Sequence, residues 1–171
     1  MSAPPNEYRN QIRKLSDKSR YDLTPLLADR KVLRRAVHDL AAPFRGRGVA
    51  KVAALDALGF ALGGGVAQIL DAGLVLIRKE EKVMWHAETF SVEDYSRRTK
   101  TFAVVRDAIQ PGEEVLVVDD WSETGAQLRA AFHLVEKLGG RIAGAALLHI
   151  DEPVRRHPEL AGHTLHHLFD Y

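Results

Sequence analysis

The chain has 171 residues, of which 46% are hydrophobic, a formal net charge of +1 at pH 7 and no cysteine. This length and composition indicate one globular domain with a substantial core, while the balanced charge excludes a polyanion-binding signature and the lack of cysteine excludes disulfides, thiolate nucleophiles and cysteine-bound zinc. No apolar run approaches the roughly 20 residues that cross a bilayer, and the N-terminus lacks the apolar region of a secretory signal, so we expect a cytoplasmic protein without membrane or nucleic-acid partners.

The first half of the chain predicts a polar N-terminal segment followed by alternating helices and strands. Residues 1–20 are polar and include Pro4-Pro5, so we expect them to be loosely ordered at their start. Asp29 is a typical N-cap for an amphipathic helix that ends near Pro43. Further along, the pattern predicts a strand at 49–55, a helix at 59–72 and a strand at 74–77 that ends in Arg78-Lys79.

The second half contains a long polar segment, followed by two strands, a helix and a further strand. Residues 80–101 are mostly polar and charged and show no clean period, which predicts a flexible lid loop. The remaining elements are a returning strand at 101–105, a buried strand at 115–118, a helix that begins near 126 and a strand at 141–150. This alternation predicts a single α/β domain over residues 1–171, with a parallel β-sheet flanked by helices.

The most informative stretch is VLVVDDWSETGAQ at 115–127. Its unbroken apolar run suits a strand buried on both faces, and open α/β sheets bind ligands at the carboxyl ends of such strands. Asp119 and Asp120 follow as adjacent carboxylates, which accept hydrogen bonds from vicinal hydroxyls or hold a hydrated divalent cation. The polar loop after them opens a helix, whose N–H groups and partial positive charge suit a phosphate. Together these features predict a site for ribose 5-phosphate.

Two residues of this loop suit a phosphate individually. Gly125 lets the backbone approach a ligand closely, and the hydroxyl of Thr124 caps the helix or donates to a phosphate oxygen. A competing interpretation is that the two aspartates merely cap the following helix, as happens in many α/β domains. The coincidence of the acidic doublet, the Thr-Gly pair and the helix favours the ligand site.

The same stretch resembles the phosphoribosyl-pyrophosphate (PRPP) signature of type I phosphoribosyltransferases, which has four apolar residues, two acidic residues, two or three variable residues and then Thr-Gly. Other segments resemble adenine phosphoribosyltransferases in the same order, so the similarity covers roughly residues 20–150. They are YDLTPLLADRKVLRRAVHDL at 21–40, LDALGFALGGGVA at 55–67 and LVLIRK at 74–79. The resemblance implies a Rossmann-like sheet of the type I phosphoribosyltransferase fold, with a small hood that includes residues 1–20 and a lid at 80–101.

The resemblance also implies roles for individual residues. Asp119 and Asp120 would be catalytic and would hold the ribose hydroxyls, directly or through Mg²⁺. The 5-phosphate would bind the loop made of Ser122, Glu123, Thr124, Gly125, Ala126 and Gln127. The pyrophosphate would contact the main chain of Asp56, Ala57 and Leu58 and the charged side chains of Arg78 and Lys79.

Two further residues of the signature bear on the acceptor base. Trp121 stands where relatives place an apolar side chain against the nucleobase, and its ring is a larger stacking face. In relatives that accept hypoxanthine or guanine, an acid at the place of Glu123 handles the proton of the base. An equally open interpretation of Glu123 is a first-turn acid that favours the helix dipole.

Several departures from the family pattern argue against adenine as the acceptor. Gln127 replaces the usual threonine or serine, and Leu58 stands where adenine enzymes place an arginine. The segment KLSDKSRY at 14–21 replaces the Pro-x-Pro-Gly-Ile that frames adenine, and EEKVMWHAETFSVEDYSRR at 80–98 alters the start of the lid.

Three classes of function follow from these observations. The leading hypothesis is a homodimeric, Mg²⁺-dependent phosphoribosyltransferase that converts PRPP and a purine into a nucleoside monophosphate and pyrophosphate. The alternative is a non-catalytic protein that binds PRPP or a nucleotide and regulates a partner. A flavodoxin-like phosphoryl-transfer protein ranks last, because LLHIDE at 147–152 offers no lysine. The histidines at 163, 166 and 167 are interpreted as solvent-facing residues without a metal.

Overall fold

The computed structural model describes residues 5–14, 21–79, 86–93 and 98–170. The α-helices are α1 (Pro5–Arg9), α2 (Thr24–Ala28), α3 (Arg30–Ala41), α4 (Leu58–Leu70), α5 (Ala126–Lys137) and α6 (Glu152–Arg155). The strands are β1 (Arg13–Lys14), β2 (Tyr21–Asp22), β3 (Val49–Leu55), β4 (Gly73–Lys79), β5 (Ala87–Glu93), β6 (Thr99–Val105), β7 (Glu114–Ser122), β8 (Arg141–Ile150) and β9 (Leu165–His167). None of the described helices is long and apolar enough to cross a membrane.

The central sheet has seven strands in the order β5-β6-β4-β3-β7-β8-β9. Five neighbouring strands, from β4 to β9 in this order, run parallel to one another. The strand β6 runs antiparallel to β4, and β5 runs antiparallel to β6. The prediction of a parallel sheet flanked by helices is therefore confirmed, with an antiparallel hairpin added at one edge.

This hairpin shows that residues 87–93 and 99–101 of the predicted lid are strands and not an irregular loop, while the role of the segment as a lid stays a prediction. It pairs Ala87 with Val105 at one end and Glu93 with Thr99 at the other. Phe90 packs against the core and Val92 is buried, whereas Ser91 between them is exposed. Because side chains alternate between the two faces of a strand, an edge strand with one apolar face contributes few apolar residues, and these are difficult to recognise in a charged sequence. The rest of the predicted lid, 80–85 and 94–97, lies outside the described residues, as do 1–4 and 15–20 of the predicted hood.

The core lies on both faces of the parallel strands. Along β7, Val115 and Val117 belong to one buried cluster, and Leu116 and Val118 belong to the other. Helix α5 covers the first face, while α3 and α4 cover the second. Because both faces are covered, this strand is apolar at consecutive positions, as the sequence predicted.

The helix predicted after Asp29 forms as expected. The side chain of Asp29 accepts hydrogen bonds from the backbone N–H groups of Lys31, at 2.7 Å, and Val32, at 3.1 Å. These bonds satisfy N–H groups that the first turn of α3 leaves without a helical partner. The helix ends at Ala41, directly before a single 3-10 turn that contains Pro43.

The strand order of the sheet reverses between β3 and β7. From β3 it passes through α4 to β4 on one side, and from β7 it passes through α5 to β8 on the other side. These two crossovers lie on opposite faces of the sheet. Open α/β sheets bind ligands at the carboxyl ends of the strands at such a switch point.

The histidines near the C-terminus are half-buried, so the expectation that they face solvent is wrong. Nε2 of His166 lies 3.0 Å from the carbonyl oxygen of Asp39, and Nε2 of His167 lies 3.2 Å from the Asp170 carboxylate. The ring of His163 packs edge-on against Phe132 at 4.8 Å. These contacts tie the C-terminal segment to the domain.

Candidate active site

The structure brings the predicted site residues to one edge of the sheet, at the switch point. Asp56, Lys79 and Asp119 lie at the carboxyl ends of the adjacent strands β3, β4 and β7. The backbone N–H of Asp56 donates to the carbonyl oxygen of Ile77 at 3.0 Å, which joins the ends of β3 and β4. Residues far apart in sequence therefore share one crevice.

Asp119 and Asp120 lie within β7, which continues to Ser122 rather than ending at Val118. The strand is longer than predicted because β8 continues to pair with it as far as Ser122 opposite Ile150. Asp119 is only 3% exposed, and its Oδ1 accepts a hydrogen bond from the backbone N–H of Asp120 at 2.9 Å. Asp120 is partly exposed.

The electrostatics of this pair favour a positively charged ligand or strong hydrogen-bond donors. Burial raises the pKa of Asp119 well above its usual range, and the adjacent carboxylate of Asp120 raises it further. Lys79 lowers the pKa of Asp119, but by less. A cation or a set of sugar hydroxyls brought to the pair would stabilise its ionised form.

A glycine lets the first turn of α4 approach the acidic pair. A Cβ atom at Gly59 would lie 2.9 Å from the carbonyl oxygen of Val118 and 3.0 Å from Oδ1 of Asp119. Any other side chain would displace the backbone of β7 or the carboxylate. The start of α4, whose dipole is positive, is therefore held beside Asp119.

The segment expected to bind pyrophosphate leads into that helix. Asp56 is buried, whereas Ala57 and Leu58 are exposed, Leu58 by 40%. The peptide bond between Asp56 and Ala57 is cis. On the neighbouring strand, the guanidinium of Arg78 lies over the ring of Phe60 at 5.5 Å. The structure thus places the two basic residues of β4 beside this exposed main chain.

The loop expected to bind the 5-phosphate is fixed by Gly125. This residue is the N-cap of α5 and has a φ of 77°, a backbone conformation that favours glycine. A Cβ atom there would also lie 2.9 Å from the side chain of Leu160. Thr124 is exposed, and its Oγ1 accepts a long hydrogen bond of 3.4 Å from the N–H of Ala126. Of the remaining loop residues, Ser122 is buried and Gln127 is partly exposed.

Trp121 lies in a group of aromatic rings. Tyr21 stacks on it with centroids 4.3 Å apart and planes 14° apart. His149 lies at 4.3 Å with its plane tilted by 40°, and Phe169 meets the indole edge-on at 6.2 Å. The role of Trp121 in base binding stays a prediction. The open stacking face expected for it is covered by Tyr21 in this structure.

His149 connects this aromatic group to a carboxylate. The imidazole is 3% exposed, and both its nitrogens face acceptors. Nδ1 lies 3.0 Å from the carbonyl oxygen of Phe169, and Nε2 lies 2.9 Å from Oδ1 of Asp151. A carbonyl only accepts, so Nδ1 donates to Phe169, and Nε2 is left to pair with the carboxylate. His149 thereby fixes the orientation of Asp151.

A cavity of about 390 Å³ opens between the loop after β7 and the start of α6. Glu123 faces it from the loop that is expected to bind the 5-phosphate. Burial raises the pKa of Glu123, the nearby carboxylate of Asp151 raises it further, and Lys100 lowers it. The residues that line the cavity are Glu123, His149, Ile150, Asp151, Glu152, Pro153, Arg155 and Asp170.

The structure adds residues to the site that sequence reasoning missed. His149 and Asp151 lie at the carboxyl end of the apolar strand β8, which corresponds to the position of Asp119 and Asp120 on β7. Polar residues at the end of an apolar strand are a sequence signal that could have identified them. Tyr21 and Lys100 carry no such signal, because only the folded chain brings them to Trp121 and Glu123.

The carboxylates of the site suit a metal ion that a ligand also binds. Among the described residues, no group of three or more potential ligand side chains could hold a metal ion by itself. Asp119 and Asp120 therefore supply at most a two-carboxylate set. Mg²⁺ is commonly held in this way, by one or two carboxylates together with substrate phosphates and water.

Comparison with known proteins gives one consistent result. Residues 13–164 match the family described as "Phosphoribosyl transferase domain". The chain is 41% identical over 151 residues to an adenine phosphoribosyltransferase of Cereibacter sphaeroides (strain KD131), with 86% of this chain and 83% of that protein covered. It is 44% identical over 134 residues to an adenine phosphoribosyltransferase of Dinoroseobacter shibae, with 77% of this chain and 73% of that protein covered.

The fold matches a solved structure of the same kind. The crystal structure of adenine phosphoribosyltransferase from Rhodothermus marinus superposes with a TM-score of 0.89 at 32% identity, covering 97% of both chains. The agreement includes the parallel sheet and its flanking helices.

Proposed function

Because the chain belongs to the family of phosphoribosyl transferase domains, which move ribose 5-phosphate from PRPP to a nitrogenous base, we propose that it uses a purine, and adenine first, as the acceptor. It is a PRPP-dependent phosphoribosyltransferase, an enzyme of the pentosyltransferase type. The relatives named as adenine phosphoribosyltransferases support adenine, although Leu58 and the sequence at 14–21 depart from the adenine pattern.

One observation carries the proposal. The acidic pair Asp119-Asp120 and the turn at Gly125 stand in succession at the switch point of the sheet, where the starts of α4 and α5 face the same crevice. Carboxylates suit the ribose hydroxyls, and helix starts suit the phosphate groups at either end of PRPP. The arrangement matches a sugar that carries anionic groups on both sides.

The binding roles of the residues follow from this placement. Asp119 and Asp120 accept hydrogen bonds from the ribose hydroxyls, and the main chain at the start of α5 binds the 5-phosphate together with Thr124. The pyrophosphate lies against Ala57 and Leu58 at the start of α4, where Arg78 and Lys79 supply positive charge. The loop residues that complete the phosphate site are Ser122, Glu123, Gly125, Ala126 and Gln127.

Asp119 and Asp120 would also hold Mg²⁺, in agreement with the fit of their carboxylates. When bound, Mg²⁺ would supply positive charge that offsets the negative charge of the pyrophosphate. The residues themselves hold the sugar in place, and their negative charge faces the positive charge that develops on the ribose ring.

Glu123 is proposed to handle the proton of the base. During transfer, the bond between the anomeric carbon and the pyrophosphate oxygen breaks, and a bond from that carbon to a ring nitrogen of the purine forms. The proton on that nitrogen passes to the Glu123 carboxylate. The raised pKa of Glu123 matches it to this exchange better than an ordinary surface glutamate.

A base panel tests the proposed acceptor. Purified protein is mixed with PRPP, Mg²⁺ and each of a series of purines and pyrimidines, and pyrophosphate release is measured. We expect release that requires both the metal and one purine, with adenine turned over fastest. PRPP binding by calorimetry without turnover of any base would contradict the proposal and would instead support a regulatory binding protein.

The assembly is a separate proposal. We expect a homodimer, as the family resemblance implies, and analytical ultracentrifugation at micromolar concentration measures it directly. A purely monomeric enzyme with full activity would contradict this expectation.

A further inference from the structure

We propose that Lys100, on the hairpin of β5 and β6, binds the 5-phosphate of PRPP together with the start of α5. This inference rests on the proposed function, because it adds one residue to the same sugar-phosphate site. Lys100 lies outside the signature stretch at 115–127, so the phosphate site would be built from two distant segments of the chain.

One face of the hairpin packs on α5. Oε1 of Glu88 lies 2.6 Å from Nζ of Lys137, in the last turn of the helix. The ring of Phe90 stacks on His133, with centroids 3.8 Å apart. Val92 is buried in the core cluster that contains the apolar side chains of α5. Because these residues of β5 alternate along the strand, they define the face that is held against the helix.

Lys100 belongs to this same face. It is paired directly with Val92, and opposite residues of an antiparallel pair project to the same side of the sheet. Phe102 and Val104, two and four residues further along β6, lie in the same core cluster as Val92. Lys100 is half-buried. It therefore continues an apolar face with a positive charge.

The position of Lys100 along the hairpin is level with the first turn of α5. Two residues of β5, from Glu88 to Phe90, correspond to one turn of the helix, from Lys137 to His133. Two further residues along β5 lie opposite Lys100 and correspond to the turn that begins the helix. A helical turn is about 5.4 Å long, and the four-carbon stem of a lysine spans a comparable distance. The ammonium group can therefore reach the loop before α5.

The loop that is expected to bind the 5-phosphate contains an acid, Glu123, which would repel a phosphate group. Burial and the carboxylate of Asp151 raise the pKa of Glu123, whereas Lys100 lowers it, so the charge of Lys100 acts on this loop. An ammonium group offsets the repulsion between a phosphate and the nearby carboxylates. The partial positive charge at the start of α5 adds to this attraction, but it is smaller than a full charge. Lys100 thus supplies what an acidic phosphate loop lacks.

Ribose 5-phosphate and pyrophosphate, each with Mg²⁺, provide the test, because they carry the two phosphate ends of PRPP separately. Calorimetry measures both dissociation constants for the unmodified protein, Lys100→Met, Lys100→Arg and Lys137→Met. Lys137→Met is the matched control. It also removes a lysine and a contact between the hairpin and α5, but at the far end of the helix. These measurements need no acceptor base.

We expect Lys100→Met to bind ribose 5-phosphate at least about tenfold more weakly, because a charge-assisted hydrogen bond is lost. Its affinity for pyrophosphate, and both affinities of Lys137→Met, should change by less than about twofold. Lys100→Arg keeps the positive charge and should retain most of the binding. In turnover assays, the KM for PRPP should rise in Lys100→Met by a larger factor than kcat falls.

Three results would overturn the inference. Equal weakening of both ligands in Lys100→Met would show a general loss of charge at the site, and an equal loss in Lys137→Met would show that loosening of the hairpin is sufficient. Normal affinity for ribose 5-phosphate with a lower kcat would mean that Lys100 acts on Glu123 instead. If Lys100→Met does not fold, Lys100→Gln provides the same comparison. If no base is turned over, the proposed acceptor fails, while the two binding constants still decide the role of Lys100.

Discussion

The ring of Tyr21 stacks on the indole of Trp121, with centroids 4.3 Å apart and planes 14° apart. Tyr21 lies in β2, which follows the predicted hood, whereas Trp121 belongs to the PRPP signature in β7. The contact therefore joins the N-terminal part of the chain to the edge of the sheet that carries the candidate site. It also covers the surface on which the sequence predicted that the base would stack.

Replacing Tyr21 tests whether the base stacks on Trp121 at the face that Tyr21 covers. We expect Tyr21→Ala to lower the free energy of unfolding by about 1 kcal/mol, because an aromatic pair is lost, and to leave the KM for adenine little changed. Tyr21→Phe keeps the stacked ring and serves as the control. Thermal unfolding and steady-state kinetics measure both effects. A clear fall in the adenine KM of Tyr21→Ala would instead show that the base takes the place of Tyr21 on Trp121.

Asp120→Asn is expected to lower kcat/KM for PRPP by about 100-fold or more while leaving the fold intact, because it removes a charge at the ribose without changing volume. Asp71→Asn is the matched control. Asp71 is exposed at the end of α4 with a φ of 54°, a conformation that asparagine tolerates. Unchanged activity in Asp120→Asn, with PRPP still saturating at the same concentration, would remove Asp120 from the site.

Asp119→Asn should inactivate the enzyme and yet stabilise it. The folded protein holds the proton of Asp119 more tightly than the unfolded chain does, because the native pKa is raised. The stability due to this group is thus present below the usual aspartate pKa and is lost as the pH rises through the raised native pKa. Near pH 7 we expect Asp119→Asn to gain on the order of 1 kcal/mol, a rise in Tm of about 2–4 °C.

The pH dependence supplies the control for this prediction. At a pH below the usual pKa of aspartate, the native and Asp119→Asn proteins should have nearly equal stability, since Asp119 is then protonated in both states of the native chain. Thermal unfolding across the pH range measures the difference. A variant that is less stable than the native protein at neutral pH would show that ionised Asp119 is well compensated in the fold.

Two glycine substitutions, one at the N-cap of α5 and one inside α4, should have opposite effects. Gly125→Ala places a Cβ against Leu160 at a φ of 77°, so we expect a loss of about 1–3 kcal/mol and a higher KM for PRPP. Gly64→Ala, in the interior of α4 with open space at the Cβ position, should stabilise the protein by up to about 1 kcal/mol. Chemical denaturation measures both, and equal effects would contradict the assigned role of Gly125.

Glu123→Gln tests whether this carboxylate accepts the proton of the base. The pKa of Glu123 is raised by burial, so the active carboxylate form is lost as the pH falls through that raised value. We expect kcat to fall on the acidic side in the native enzyme, and the variant to be slower with a flatter profile. If the variant changed only the affinity for PRPP, Glu123 would be a helix-terminus residue, as the competing interpretation holds.

The strands and helices of the interior could be predicted closely from the sequence. The strands at 49–55 and 141–150 have the predicted bounds, and Asp29 caps α3 as expected. These elements have continuous apolar runs or a clear cap, both of which are local signals. The returning strand predicted at 101–105 forms as β6, whereas β5 was missed because Val92 is its only buried side chain in a polar and charged stretch.

The candidate site divides in the same way. The acidic pair, the predicted phosphate loop and the basic end of β4 are each contiguous in sequence, so residue order was enough to propose a role for each of them. The extension of β7 to Ser122 was not, because it depends on pairing with β8. Contacts between distant segments also place Tyr21 over Trp121. They likewise bring the charge of Lys100 to Glu123.

The sequence by itself determined that two carboxylates, a polar loop and a helix start follow one another on one strand and its turn, and this order predicts a site for a phosphorylated sugar. Only the tertiary structure decided what surrounds that ligand. It buried Asp119, stacked Tyr21 on Trp121 and fixed Asp151 with His149. The physical reason is that burial, ring stacking and hydrogen bonds between neighbouring strands are set by the packing of distant segments, which residue order alone does not specify.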